Sequence, residues 1–160
     1  MPVSCTFTLN RRSMSALVGP GFGSIRAFSG NGHRINDPDF VTEKEAGPLP
    51  KGLYYIVDRE SGGHPGWLWD SLKDMAASTR RTEWFVLYRD DGHIDDWTFI
   101  DGVRRGNFRL HPVGRLGESD GCITLPSREE FKALRAHLKM QPPKFIPGSS
   151  TRYYGTINVQ

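Results

Sequence analysis

The chain has few cysteines and no long hydrophobic segment. Two cysteines, Cys5 and Cys122, occur among its 160 residues, which excludes the disulfide framework of many small secreted domains. No apolar run approaches the ~18 residues of a membrane-spanning helix, and we expect no membrane insertion. The first twenty residues lack the apolar core of a signal peptide and carry Arg11 and Arg12 in their middle. We therefore expect a protein that is made in the cytoplasm without a signal peptide.

Positive charge is present but scattered. The formal net charge is +3, which is compatible with contact to an anionic polymer. Neighbouring arginines form isolated pairs, at 11–12, 80–81 and 104–105. Nucleic-acid-binding proteins gather their basic residues on one patch or stripe. We therefore expect these pairs to lie in solvated turns, and we expect no nucleic-acid partner.

The histidines do not form a metal-binding pattern. His64, His93 and His137 are too far apart for the short spacings, such as H-x-x-x-H, that hold zinc. We therefore expect neither a metal nor another cofactor. The four tryptophans are expected chiefly in the core.

Glycine and proline are abundant, which favours a fold rich in turns and strands. The chain contains 18 glycines and 11 prolines, and its length suits one domain, residues 1–160. Short β-prone runs between turn residues predict strands at 5–9, 14–18, 24–28, 53–57, 83–88, 97–100, 107–110, 123–125 and 153–159. Helical signals predict one helix over 65–78 and another from an N-cap at Ser127 to about Met140. The expected class is a β-dominated α+β domain with two helices.

One segment carries a histidine, a loop and a cysteine in an order suited to nucleophilic catalysis. His111 precedes Cys122 by eleven positions, and the glycines at 114 and 117 let the connection loop out. A neighbouring histidinium can lower the pKa of a thiol and so supply a thiolate nucleophile. Gly121 lets a substrate approach the backbone, so that the amides of Gly121 and Cys122 can act as oxyanion donors.

Other residues near this segment are candidates for secondary roles. Ser119 and Asp120 are predicted to form a tight turn with the following glycine. The hydroxyl of Ser119 either bonds the turn backbone, orients the imidazole or contacts substrate. Tyr54 and Tyr55 alternate across a predicted strand, so one ring belongs to the core and the other is a candidate for a substrate groove. We treat these tyrosines, Asp120 and Arg109 as candidate substrate-binding residues.

Two segments together resemble a known family. GPLPKGLYYI occupies positions 47–56, and SDGCI occupies positions 119–123 downstream of His111. Histidine, a loop and [S/T]-x-Gly-Cys form the signature of L,D-transpeptidases. Both segments in this order resemble the L,D-transpeptidase-like effectors of bacterial type VI secretion systems, over about residues 28–134.

The sequence departs from the housekeeping members of that group at two places. Asp120 stands where they usually have histidine, and Ile123-Thr124 replaces their usual Arg-Asn pair. The effector-like branch tolerates both changes. Substrate contacts made at those positions are therefore not carried over.

The resemblance implies a fold and an activity. The fold would be an L,D-transpeptidase-like β-sandwich, and Cys122 would attack the bond between meso-diaminopimelate and the terminal D-alanine of a tetrapeptide stem. Water then gives L,D-carboxypeptidase trimming, and an amine gives exchange or a crosslink. The implied partners are peptidoglycan stem peptides, type VI secretion components and a periplasmic immunity protein. The protein would be a monomer that is secreted and acts in the periplasm of target bacteria.

Two other functions remain open at the sequence level. One is another cysteine peptidase or a sortase. Papain-like enzymes place cysteine before histidine, the reverse of the order here, and sortases need a later arginine for which Arg152 is only a loose candidate. The second alternative is a non-catalytic wall-binding module of the same fold.

Overall fold

The computed structural model describes residues 1–58, 83–114 and 121–160. Strands dominate these ranges, as predicted: β1 Val3–Phe7, β2 Ser15–Gly19, β3 Gly23–Ala27, β4 Gly52–Asp58, β5 Phe85–Arg89, β6 Trp97–Ile100, β7 Val103–Gly106, β8 Arg109–Pro112, β9 Ile123–Leu125, β10 Lys144–Phe145 and β11 Arg152–Val159. The helix α1 covers Arg128–Lys139, and two 3₁₀ turns cover Gly32–Arg34 and Pro38–Phe40. The helix predicted over 65–78 lies outside the described residues.

Nine of the strands form one sheet that nearly closes on itself. Its order is β3-β2-β1-β11-β4-β5-β8-β9, with β10 paired to β11. The β1–β11 and β8–β9 pairs are parallel. Phe28, directly after β3, and Thr124 in β9 exchange two backbone hydrogen bonds of 3.0 and 2.8 Å. This bridge connects the two edges of the sheet next to the segment that carries Cys122.

Alternation along the strands separates two hydrophobic clusters. Tyr54 and Ile56 of β4 belong to the main core, which also receives the buried side chains of β1 and of α1. Their neighbours Tyr55 and Val57 belong to a smaller cluster. Because successive residues of a strand point to opposite faces, the two clusters lie on opposite sides of the sheet.

The helix α1 begins where the sequence predicts. The hydroxyl of Ser127 accepts a hydrogen bond from the backbone amide of Glu130 at 3.1 Å, which satisfies one of the free amides of the first turn. The first turn also carries Glu129, and the last turn carries His137 and Lys139, as the helix dipole favours. None of the helices in the described ranges is long and apolar enough to cross a membrane.

The strands β6 and β7 form a separate hairpin, of which the sequence predicted only the first strand. The expectation that the pair at 104–105 lies in a solvated turn is wrong for Arg105, because this residue belongs to β7 and is 2% exposed.

Asp96, just before β6, forms a bidentate ion pair with Arg109 of β8, with N–O distances of 2.8 and 2.9 Å. This buried pair ties the hairpin to the main sheet.

Candidate active site

The pairing of β8 with β9 brings His111 and Cys122 into one region. His111 lies opposite Thr124 in the parallel register, and Cys122 directly precedes β9. Cys122 therefore lies two residues before the residue that pairs with His111. The imidazole Nε2 lies 3.5 Å from the Thr124 hydroxyl, so the side chains of His111 and Thr124 share one face.

The imidazole of His111 is fixed on two sides. Its Nδ1 lies 2.7 Å from the carbonyl oxygen of Pro112. A carbonyl only accepts hydrogen bonds, so Nδ1 carries the proton and Nε2 is the free base of the neutral ring. The indole of Trp84 stacks on the imidazole with a centroid separation of 4.4 Å and an interplanar angle of 22°. Both rings are buried, so the tautomer and the ring orientation are set by the fold.

Burial lowers the pKa of His111 to about 4, an effect that the Pro112 hydrogen bond opposes and the charge of Arg109 reinforces. The ring is therefore neutral near pH 7. A neutral imidazole with an unprotonated Nε2 suits a general base, whereas the sequence analysis expected a histidinium that stabilises a thiolate. The difference arises because the sequence does not reveal how deeply β8 is buried.

The backbone before Cys122 requires a glycine. Gly121 has φ of +79°, a conformation that L side chains rarely adopt. A Cβ at this position would lie 2.5 Å from a guanidinium nitrogen of Arg105 and 3.2 Å from the Phe108 ring. Close packing and backbone conformation thus both explain the glycine that the motif predicted.

The thiol of Cys122 contacts the backbone of Asn107. The Sγ atom donates to the carbonyl oxygen of Asn107 over 3.7 Å, and Cys122 is 8% exposed. Asn107 itself adopts a left-handed conformation with φ of +60°, which is uncommon for a residue other than glycine. The candidate nucleophile therefore follows one left-handed residue, Gly121, and contacts another.

The other predicted residues have different positions. Tyr54 is buried in the main core, and its hydroxyl donates to the Pro50 carbonyl at 2.7 Å. Tyr55 packs in the smaller cluster, 5.0 Å from the Tyr153 ring. Arg109 lies two residues before His111 and pairs with Asp96. Substrate binding by these residues stays a prediction, and Ser119 and Asp120 lie outside the described residues.

Four residues around the pair were missed by the sequence analysis: Trp84, Asn107, Pro112 and Thr124. Thr124 and Pro112 have a local signal, since Thr124 lies on the predicted strand after Cys122 and Pro112 directly follows His111 in the chain. Trp84 and Asn107 contact the pair only through the pairing of distant strands, so no local pattern identifies them. Among residues 1–58, 83–114 and 121–160, no group of three or more metal-ligating side chains is present.

These features define a class of site: a buried neutral histidine on one strand and a cysteine directly before the parallel strand paired with it, in a β-dominated domain. The family model of the Tlde1 domain matches residues 23–149, which include both GPLPKGLYYI and the segment from His111 to Cys122. The chain therefore belongs to the Tlde1 family, a family of type VI secretion L,D-transpeptidase effectors, and the resemblance found in the sequence is confirmed. No curated protein and no solved structure matches the chain.

Proposed function

We propose that this protein is an antibacterial cysteine acyltransferase that acts on peptidoglycan stem peptides. Its substrate is the bond between meso-diaminopimelate and the terminal D-alanine of tetrapeptide stems. The products are a trimmed tripeptide when water is the acceptor and an exchanged stem when a D-amino acid is the acceptor. The nearly closed sheet would then be an L,D-transpeptidase-like fold.

The first half-reaction uses His111 as the base. Nε2 accepts the thiol proton while the Cys122 sulfur forms a bond to the carbonyl carbon of diaminopimelate. The backbone amides of Gly121 and Cys122 hold the resulting oxyanion. The proton on Nε2 then passes to the D-alanine nitrogen as the C–N bond breaks, leaving a thioester on Cys122.

The second half-reaction releases the stem. Nε2, again neutral, accepts a proton from a water molecule or from the amine of a D-amino acid. The oxygen or nitrogen attacks the thioester carbon, and the C–S bond breaks. The sulfur leaves with the proton from Nε2, which regenerates the thiol and the neutral imidazole.

The observation that carries this proposal is the arrangement of His111. Its Nδ1 proton is committed to Pro112 at 2.7 Å, so the basic nitrogen faces the strand that begins after Cys122. Serine and cysteine acyltransferases use a base that a third group orients, and the Pro112 carbonyl would be that third group here. Membership of the Tlde1 family supports peptidoglycan as the substrate.

The proposal is tested by incubating the purified protein with disaccharide tetrapeptide and analysing the products by mass spectrometry. Loss of D-alanine is expected with water alone, and addition of a free D-amino acid should yield the exchanged stem. Cys122→Ala should form neither product, and Cys5→Ala provides the matched control that keeps activity. Unchanged tetrapeptide with the wild-type protein, or product formation by Cys122→Ala, would contradict the proposal.

A further inference from the structure

Two adjacent arginines of β7 have opposite environments. Arg104 is exposed, and its guanidinium lies over the Trp97 ring at 4.4 Å from the ring centroid. Arg105 points to the other face of the hairpin and is 2% exposed. A buried arginine is rare unless its charge and its donors have partners. The contacts of Arg105 therefore indicate what the side chain does.

The first set of contacts joins Arg105 to the loop that carries the GPLP segment. Its guanidinium donates to the carbonyl oxygens of Val41, Gly47 and Pro48, the last two over 3.0 and 3.3 Å. A Cβ at Gly47 would lie 3.2 Å from the guanidinium and closer still to the backbone of Phe40. The loop is thus packed tightly against this one side chain.

The second set of contacts joins Arg105 to the turn before the nucleophile. A guanidinium nitrogen occupies the space where a Cβ of Gly121 would stand, at 2.5 Å. The guanidinium carbon lies 5.5 Å from the centroid of the Phe108 ring, and this ring also contacts the Gly121 position. Arg105 therefore touches both segments that carry the family resemblance, although it belongs to neither.

We propose that Arg105 is a positioning residue for the Gly121–Cys122 turn, a role that rests on the proposed function. The planar guanidinium holds several carbonyls at fixed angles, so the GPLP loop becomes a rigid support beneath Gly121. That support keeps the oxyanion-binding amides and the Cys122 sulfur in place relative to His111. The contact of Arg105 with this turn is made at the Gly121 position, so Arg105 acts through Gly121.

The experiment compares Arg105→Lys and Arg105→Met with Arg104→Met, the matched control on the same strand. Turnover of disaccharide tetrapeptide is measured per folded molecule, with the folded fraction obtained from near-ultraviolet circular dichroism. We expect kcat to fall about 100-fold in Arg105→Met, as for a small displacement of catalytic groups, with KM unchanged. Arg105→Lys should show a smaller loss of kcat, since an ammonium cannot reproduce the planar fork, and Arg104→Met should match the wild type.

Several outcomes would overturn the proposal. Wild-type kcat in Arg105→Lys overturns it, whether or not Arg105→Met folds. A loss that disappears once activity is expressed per folded molecule also overturns it, because the role is then only structural. If the wild-type protein does not turn over muropeptides, the proposed function fails. The rate at which iodoacetamide alkylates Cys122 then tests whether Arg105 positions the turn. Slower alkylation in both Arg105 variants than in Arg104→Met supports positioning, whereas equal rates overturn it.

Discussion

The two cysteines are both buried, yet they lie in regions with different chemistry. Cys5 of β1 is 3% exposed and packs in the main hydrophobic core, where burial raises the pKa of its thiol to about 12. Cys122 is 8% exposed, but it directly follows the left-handed Gly121 and donates to the backbone carbonyl of Asn107. Burial alone therefore does not distinguish a structural thiol from a candidate nucleophile. The two thiols differ in the polar groups that surround them.

The largest expected difference between substitutions in the two regions is their effect on the toxicity of the protein to cells. Expression of the protein with a periplasmic signal peptide in a Gram-negative host should be toxic, and cytoplasmic expression should be tolerated, because the proposed substrate lies outside the inner membrane. Cys122→Ala should abolish the toxicity, and Cys5→Ala should retain it. Colony counts and cell shape measure the effect, with immunoblots to show equal protein levels.

Co-production of an immunity protein adds a second test of the same prediction. Co-production of a periplasmic partner that occludes the Cys122 region should relieve the toxicity. Equal toxicity from both compartments, or toxicity of the Cys122→Ala form, would indicate a cytoplasmic target or a binding module instead.

The second prediction is that removing His111 changes the reactivity of Cys122 and leaves that of Cys5 unchanged. His111→Ala removes the base that lies opposite Thr124 of β9, and the loss of a general base lowers kcat about 10²- to 10⁴-fold. Alkylation of Cys122 by iodoacetamide should also slow, while Cys5 stays unmodified in both proteins because its thiol remains protonated. Peptide mass spectrometry of the alkylated protein follows each cysteine separately. Equal alkylation rates of Cys122 in wild type and variant would exclude His111 as its partner.

The third prediction concerns the pH dependence of stability between about pH 4 and 6.5, to which the His111 region should contribute and the Cys5 region should not. The pKa of His111 is about 4 in the folded chain, against ~6.5 for an unperturbed histidine. Between these values the unfolded state binds one more proton, so the free energy of unfolding decreases as the pH falls from about 6.5 to about 4. The full decrease is ~3 kcal/mol, and above pH ~6.5 the stability is fully present.

Denaturant titrations above and below this pH window measure the effect. His111→Gln should lack this component of the pH dependence, whereas Cys5→Ala should keep it. A His111→Gln variant whose unfolding free energy follows the wild-type pH dependence would show that His111 does not titrate with a lowered pKa.

The sequence predicted the parts of the site that depend on local signals. His111, Gly121 and Cys122 belong to one short motif, and the start of α1 follows from the cap at Ser127. These features depend on residues no more than eleven positions apart in the chain. The sequence predicted a turn and a close approach to the backbone at Gly121, and the structure adds its left-handed conformation.

The sequence did not predict the parts that depend on distant contacts. Arg105 belongs to one of the scattered arginine pairs, which suggested a solvated turn, but three carbonyls of a loop more than fifty residues away accept its hydrogen bonds. Trp84 was expected only as core, and its stacking on His111 depends on the position of the residue relative to β8. Burial and charge partners of this kind are fixed by strand pairing, which no short pattern encodes.

The smallest effect is expected from replacing sulfur by oxygen in each region. Cys5→Ser buries a hydroxyl in an apolar cluster, which should lower the free energy of unfolding by about 1–3 kcal/mol and leave turnover unchanged. Cys122→Ser keeps a donor for the Asn107 carbonyl, so its stability should remain near that of the wild type. Its turnover should nevertheless be lost, because a serine hydroxyl has a much higher pKa than a thiol and is a far weaker nucleophile with a single histidine as base. Denaturant titration and the muropeptide assay on the same two variants give both values. Wild-type stability of Cys5→Ser together with a marked destabilisation of Cys122→Ser would reverse the assignment of the structural and the reactive thiol.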